Sequence, residues 1–298
     1  MSLLLSDVAT AAELPPIPAG LDAYLPTPAA NPLTRAKVEL GRKLFFDKRL
    51  SADGTVACAS CHDPAFAFGD RRVLAAGIGG RVGVRRAPRL INRGYGKSFF
   101  WDGRAQTLEQ QVVQPVANPL EMGSSMRDAA ARIGVAEEAL RDALASYVRT
   151  ILSGNSRFDR YLAGDSSAMN ATEQKGLNLF TGKAGCSSCH VGPNFTDERY
   201  HNTGAGTRED LGRAVVTGRD QDRGAFKTPS LREASRTPPY MHDGSLPTVA
   251  EVIEFYDKGG RPNPQLDPEI RPLHLTAAEK AELASFINAL NGTVRDGL

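Results

Sequence analysis

Two copies of one five-residue pattern, Cys58-Ala59-Ser60-Cys61-His62 and Cys186-Ser187-Ser188-Cys189-His190, use all four cysteines of this 298-residue chain. Cys-x-x-Cys-His is the spacing of covalent c-type haem attachment. Two thiols add to the vinyl groups on one porphyrin edge, and the adjoining imidazole reaches the iron from one face. A four-thiolate zinc site or two disulfides would also consume four cysteines, but neither needs a histidine after the second cysteine in both copies. The pattern therefore predicts two covalently bound haems, with His62 and His190 as proximal iron ligands.

One motif falls in each half, and the length suits two domains of ordinary size. Residues 1–165 read as an N-terminal arm and a first haem domain, and 166–298 as a second, with the boundary near Gly164 to Asn170. The formal net charge is only +2, and Lys and Arg are scattered, so nothing points to nucleic acid. No apolar run approaches the ~18 residues that a membrane helix needs. Leu3-Leu4-Leu5 is too short for a signal-peptide core. Since c-type haem is attached outside the cytoplasm, the expectation is a periplasmic protein whose export signal is removed or lies upstream.

Periodicity predicts a mainly α chain. Asn31-Pro32-Leu33-Thr34 opens a helix with Val38, Leu40, Leu44 and Phe45 on its apolar face, and Thr172-Glu173-Gln174 opens a second. The end of the first, Gly41-Arg42-Lys43-Leu44-Phe45, is echoed by Gly176-Leu177-Asn178-Leu179-Phe180, each just before a motif, which suggests an internal duplication. Further helices are expected over 107–113, 126–133, 136–152 and 246–256, and over 276–290 after the capping box Thr276-Ala277-Ala278-Glu279. Strand signals are weak. Residues 11–32 read as an irregular arm, and 77–96 and 192–224 as long Gly- and Arg-rich loops of the kind that wrap a cofactor. The expected architecture is two cytochrome c-like haem domains with long irregular loops.

Five further segments, in this order and spacing, give the chain its resemblance to the bacterial di-haem cytochrome c peroxidase and MauG family. They are Leu40-Gly41-Arg42-Lys43-Leu44-Phe45-Phe46-Asp47, Phe100-Trp101-Asp102-Gly103-Arg104-Ala105, Asn118-Pro119-Leu120-Glu121-Met122, Phe226-Lys227-Thr228-Pro229-Ser230-Leu231 and Pro239-Tyr240-Met241-His242-Asp243-Gly244, together with the two haem motifs. The resemblance covers nearly the whole chain. It implies that peroxide reacts at the N-terminal haem, while the C-terminal haem relays electrons or stores an oxidising equivalent. Peroxide cleavage needs an iron with an accessible position and a distal acid/base. The resemblance gives that role to Glu121, with Gln111 as the accompanying polar residue and Pro115 on the same wall. Read without it, Glu121 would be a solvated carboxylate at a helix start.

Three departures within the resemblance matter. No histidine lies between His62 and His190, so the distal ligand that many such peroxidases must lose is missing, and the first haem is expected to be open; Met122 is the other donor nearby. At the second haem the usual methionine position is Tyr256, as in MauG, and a phenolate favours the higher oxidation states of iron; the alternative is Met241 as ligand, with Tyr256 an ordinary helix aromatic. Calcium-binding relatives use an Asn side chain and carbonyls of a Thr-x-Pro segment. Thr237-Pro238-Pro239 survives, but Arg86 stands at the Asn position and cannot ligate a cation. Asn92 is a stand-in, and the Arg86 charge is the other occupant. Trp101, the single tryptophan, aligns with the residue between the haems and is a relay candidate as well as a packing residue. His201 and His242 read as supporting residues, and His274 has no assigned role.

Three functions follow as expectations. The first is a MauG-type enzyme that takes hydrogen peroxide and oxidises a protein side chain, a quinol or a small redox protein. The second is a cytochrome c peroxidase fed by a small cytochrome or cupredoxin. The third is a non-enzymatic di-haem electron-transfer cytochrome, which would need both irons six-coordinate. A monomer and a homodimer are both compatible with the sequence.

Overall fold

Each half of the chain builds the same frame, in which a helix before the motif crosses a later helix, and the motif hangs between them. The computed structural model describes residues 16–297. Leu3 to Leu5 and residues 11–15 of the expected arm lie outside that range. No helix among the described residues is long and apolar enough to cross a membrane.

In the first half, α1 (Arg35–Phe45) starts where the Thr34 hydroxyl accepts from Lys37 N at 3.3 Å. Helix α2 (Leu108–Ala117) is capped by Thr107 onto Gln110 N, and α3 (Met126–Ile133) starts at Ser125 and ends at left-handed Gly134. Helix α4 (Glu137–Arg149) is the long partner of α1. The helix expected to reach Leu152 stops at Arg149, because residues Ile151–Gly154 pair as strand β1 instead. Short α5 (Arg157–Leu162) follows, behind a Ser156/Asp159 capping box.

In the second half, α6 (Ala171–Thr181) begins two residues earlier than the Thr172 signal suggests, since the Asn170 side chain and Glu173 form the capping box. Two-residue strands β2 (Tyr200–His201) and β3 (Phe226–Lys227) pair antiparallel, with four-residue α7 (Ala214–Thr217) between them. Helix α8 (Val249–Asp257) is capped by Thr248, and α9 (Ala277–Ala289) by Thr276 with Glu279. Strand β4 (Thr293–Asp296) returns to the first half and pairs antiparallel with β1, with Ile151 opposite Asp296. These strands are too short and too polar in part to show a period of two.

Two cores result. One gathers Val38, Phe45, Leu108, Leu140, Leu144 and Tyr147. The other is an aromatic cluster in which Phe286 packs against Phe180 (5.0 Å between ring centres) and Phe158 (5.6 Å). Phe158 of α5 thus packs on the second core, while Val294 of β4 packs on the first.

The echo before the motifs has a steric cause. A Cβ at Gly41 would collide with the Ala143 carbonyl on α4, and one at Gly176 with the Glu282 carbonyl on α9. Each glycine lets two helices cross at backbone contact. Gly41→Ala and Gly176→Ala should therefore each cost about 1–3 kcal/mol by overpacking, read as a lowered thermal midpoint of the holoprotein; unchanged midpoints would mean that the helices can part without cost.

Candidate active site

Both motifs open onto one continuous cavity. Its walls carry Cys58, Cys61 and His62 of the first motif, Cys186, Cys189 and His190 of the second, and Trp101. None of the four cysteines is in a disulfide. Burial pushes the Cys58 thiol up to about 12 and Cys186 to about 11, so neither is disposed to be a metal thiolate.

The imidazoles are prepared for one task. His62 Nδ1 lies 3.3 Å from the Phe68 carbonyl oxygen and His190 Nδ1 lies 2.9 Å from that of Phe195. A backbone carbonyl can only accept, so Nδ1 carries the proton and Nε2 keeps its lone pair for a metal. Burial pulls the His62 pKa down to about 4 and lowers that of His190, which holds both rings neutral, as ligation requires. Phe68 and Phe195 sit at φ +55° and +52°. Left-handed backbone at a phenylalanine is strained, and here it accompanies a carbonyl facing the ring. The donor set, the tautomers and the largely apolar walls fit a haem at each motif. A bound haem would supply redox iron, and the residues that would hold it are the two cysteines and histidine of each motif.

At the first motif, Gln111 and Pro115 line the cavity from α2, and Glu121 lines it from the turn after that helix. The Asn118 amide donates to Glu121 Oε1 at 2.7 Å, and the Glu121 carbonyl accepts from Ile78 N at 2.8 Å. Burial raises the Glu121 pKa, with Asn118 pulling the other way. The carboxyl is thereby suited to hold and return a proton. Met122 is buried in the first core.

At the second motif, Tyr256 faces the cavity from α8, and burial pushes its hydroxyl up to about 12 against a lowering hydrogen bond with Thr203. A second repeat, missed in the sequence, explains its place. Residues 99–109 and 240–250 share a bridged turn (Phe99 to Ala105, Tyr240 to Leu246), positive φ at Phe100 and Met241 (+67° each) and at Gly103 and Gly244 (+69° each), and a capping threonine, Thr107 or Thr248. Counting on from those caps, Pro115 and Tyr256 occupy the same helix position, as do Gln111 and Val252. Only Asp-Gly and the threonine are identical between the copies, which is why the repeat is hard to see without the backbone.

Trp101 is held by both halves. Its Nε1 donates to the Arg86 carbonyl at 2.8 Å, and its own carbonyl accepts from Lys227 N at 2.8 Å. His242, its counterpart in the repeat, is buried, stacks on Phe226 at 3.5 Å and meets Trp101 edge-on at 6.4 Å. His201 is held between Asp197 (2.9 Å) and Asp267 (2.6 Å) beside the second motif, while His274 is exposed. The Arg86 guanidinium, buried and with no carboxylate among the described residues within ion-pair distance, donates to the carbonyls of Asp70 (2.7 Å), Thr237 (3.2 Å) and Pro238 (3.3 Å). Asn92 is engaged elsewhere, with the Ser153 backbone.

The chain matches the family model described as di-haem cytochrome c peroxidase over residues 35–139. It is 41% identical to the methylamine utilization protein MauG of Methylorubrum extorquens, over 89% of this chain and 81% of that one. It is 33% identical to the cytochrome c551 peroxidase of Nitrosomonas europaea, over 91% and 84% respectively. Among solved structures it is similar to a MauG-like protein associated with microbial copper homeostasis, with a TM-score of 0.82 and 34% identity over 92% of this chain and 94% of that one.

Beside Trp101, a buried ionic cluster joins the halves: Glu198 accepts from Arg93 at 2.7 Å and lies 3.4 Å from Lys227. Burial alone would raise the Glu198 pKa, but Arg93 and Lys227 bring it down to about 2 from the ordinary 4.5. Its contribution to stability is therefore present above pH 4.5 and is lost as pH falls through about 2. Glu198→Gln should cost about 3–5 kcal/mol at pH 7, since it strands two buried cations, and much less near pH 2. Urea unfolding at the two pH values checks this, and equal losses would refute it.

Proposed function

Because the chain belongs to the di-haem cytochrome c peroxidase family and is a haem peroxidase with two haem cofactors, we propose that it works in the MauG manner. The two haems would be held covalently at the two motifs, peroxide would react at the first, and His190 and Tyr256 would hold the second, which would store a share of the oxidising equivalents. The observation that carries this reading is the inequality of the two copies. Where α8 presents the Tyr256 phenol, α2 presents Pro115, which has no donor atom on its side chain, and the pocket beside Pro115 holds Glu121 and Gln111. One end is thus built to leave iron accessible, and the other to occupy it. Met241 competes less well, because it sits in the turn equivalent to that of Phe100.

When bound, the haem iron supplies the centre at which the peroxide O–O bond breaks and the store for two oxidising equivalents. Glu121 takes the proton from one peroxide oxygen and delivers it to the other, which leaves as water. Asn118 occupies Oε1, and Oε2 is the oxygen that would serve peroxide. Gln111 presents its amide one turn of α2 before Pro115 and orients the substrate. Trp101, locked by Arg86 and Lys227, bridges the ends. The balance is two electrons and two protons per peroxide, giving two waters, with the electrons drawn from a protein side chain or a redox protein. Haem attachment at Cys58, Cys61, Cys186 and Cys189, a step that occurs outside the cytoplasm, supports a periplasmic location. Arg86 fills the carbonyl cage at Thr237 and Pro238, so no calcium is required there.

Low-temperature EPR of the ferric protein, before and after one equivalent of hydrogen peroxide, tests the reading. One high-spin and one low-spin signal, both lost without added reductant, are expected. Two low-spin signals indifferent to peroxide would sink it in favour of a peroxidase needing reductive activation or a simple electron carrier. Glu121→Gln should keep both haems yet slow the peroxide reaction by roughly 10², measured by stopped flow. Incubation with EGTA should leave the absorption spectrum and thermal midpoint of the wild type unchanged; a shift in either would restore a metal ion to the design.

A further inference from the structure

Arg89 reaches into the cavity between the two motifs. Its Nη1 donates to Thr237 Oγ1 at 2.9 Å and its Nη2 to the Ser230 carbonyl. Both partners are neutral, and among the described residues no carboxylate lies within ion-pair distance of it. The acid that influences it electrostatically, Glu233, is committed elsewhere: Oε1 accepts from Ser153 Oγ and Gly292 N, and Oε2 faces Arg236 at 3.1 Å. The other groups that act on Arg89 are the Tyr240 phenol and the Arg86 guanidinium, a like charge. Arg86 differs from it in having several backbone carbonyls, of Asp70, Thr237 and Pro238, for its charge.

A guanidinium carries five donors in a planar fork that matches a carboxylate two-for-two. Arg89 has two of them engaged by the protein. A half-buried cation that lines a cavity beside a second cation, and has spare donors, is a site for an anion. Burial first, and then the Arg86 charge, pulls the Arg89 pKa down to about 10, which still leaves it charged at neutral pH.

We propose that Arg89 is a carboxylate-binding residue that clasps a propionate of the C-terminal haem and sets that haem's potential. This rests on the reading that a haem is bound at His190. The choice of haem follows from the partners: Thr237 and Ser230, which hold the guanidinium, both lie on the C-terminal segments. The clasp orients the porphyrin edge opposite the thioethers and cancels a negative charge that would otherwise favour ferric iron. Arg89 is a positioning residue, since it acts on the iron through the propionate.

The test is a spectroelectrochemical titration of the holoprotein without peroxide, so it stands apart from the fate of the peroxidase reading. Thioether attachment keeps the haem in place when the clasp is lost. Arg89→Gln should lower the potential of the low-spin C-terminal haem enough to raise its ferric-to-ferrous ratio about tenfold at fixed potential, about 59 mV for one electron. The high-spin N-terminal haem should move less. Arg89→Lys, which keeps the charge and loses the fork, should shift it the same way by less than half as much. Wild-type potentials in Arg89→Gln, or a larger shift at the N-terminal haem, would overturn the assignment. Should Arg89→Gln fail to mature, Arg89→Lys decides, and an unshifted potential there would equally overturn it.

Discussion

The contact between each motif imidazole and a backbone carbonyl is the constraint on which the rest depends. His62 and His190 can serve iron only if Nδ1 is protonated and committed, and the carbonyls of Phe68 and Phe195 do that at both ends. The chain accepts left-handed φ at both phenylalanines, a strain of the order of 1–3 kcal/mol each. That strain persists because Phe68 and Phe195 are themselves buried in the two cores. The cores, in turn, close only because Gly41 and Gly176 let the helices on either side meet backbone to backbone. Helix crossing, anchored phenylalanine, oriented imidazole and available lone pair form one line of cause.

On this repeated frame, small substitutions separate the two ends. The turn of Phe99–Ala105 and that of Tyr240–Leu246 share backbone angles and a capping threonine, and they deliver α2 and α8 to the cavity in the same register. A proline and a glutamine come out of that register at one end, and a tyrosine and a valine at the other. The frame sets where a side chain arrives; the side chain decides whether the position offers a donor atom to the cavity. Trp101 and His242, equivalent in the repeat and in edge-on contact, mark where the copies meet.

Much of this was legible beforehand, for identifiable reasons. Capping residues announce their helices locally, so the starts at Thr34, Thr107 and Thr276 could be read from neighbouring residues alone, and the motifs declare their chemistry by spacing. Thr172 and Glu173 imitate a cap that Asn170 actually supplies, so the sequence signal falls two residues after the true start. Strands β1 and β4 were invisible because their pairing spans more than 130 residues and neither alternates clearly in polarity. Arg89 gave no signal either. Its meaning lies in what does not contact it, and an absent counter-charge is a property of folded space rather than of sequence.

The two kinds of buried cation show how the halves are joined. At Glu198 the joint is closed within the protein, since Arg93 and Lys227 share a carboxylate and Lys227 also donates to the Ser98 carbonyl. At Arg86 it is closed by carbonyls from both halves, Asp70 on one side and Thr237 and Pro238 on the other, with Trp101 hydrogen-bonded to the backbone of the same residue. A guanidinium directs its donors at fixed angles, whereas a bound ion adapts to its ligands and can leave. Building the cation into the chain therefore seats Trp101 on the protein's own groups, through hydrogen bonds that reach both halves.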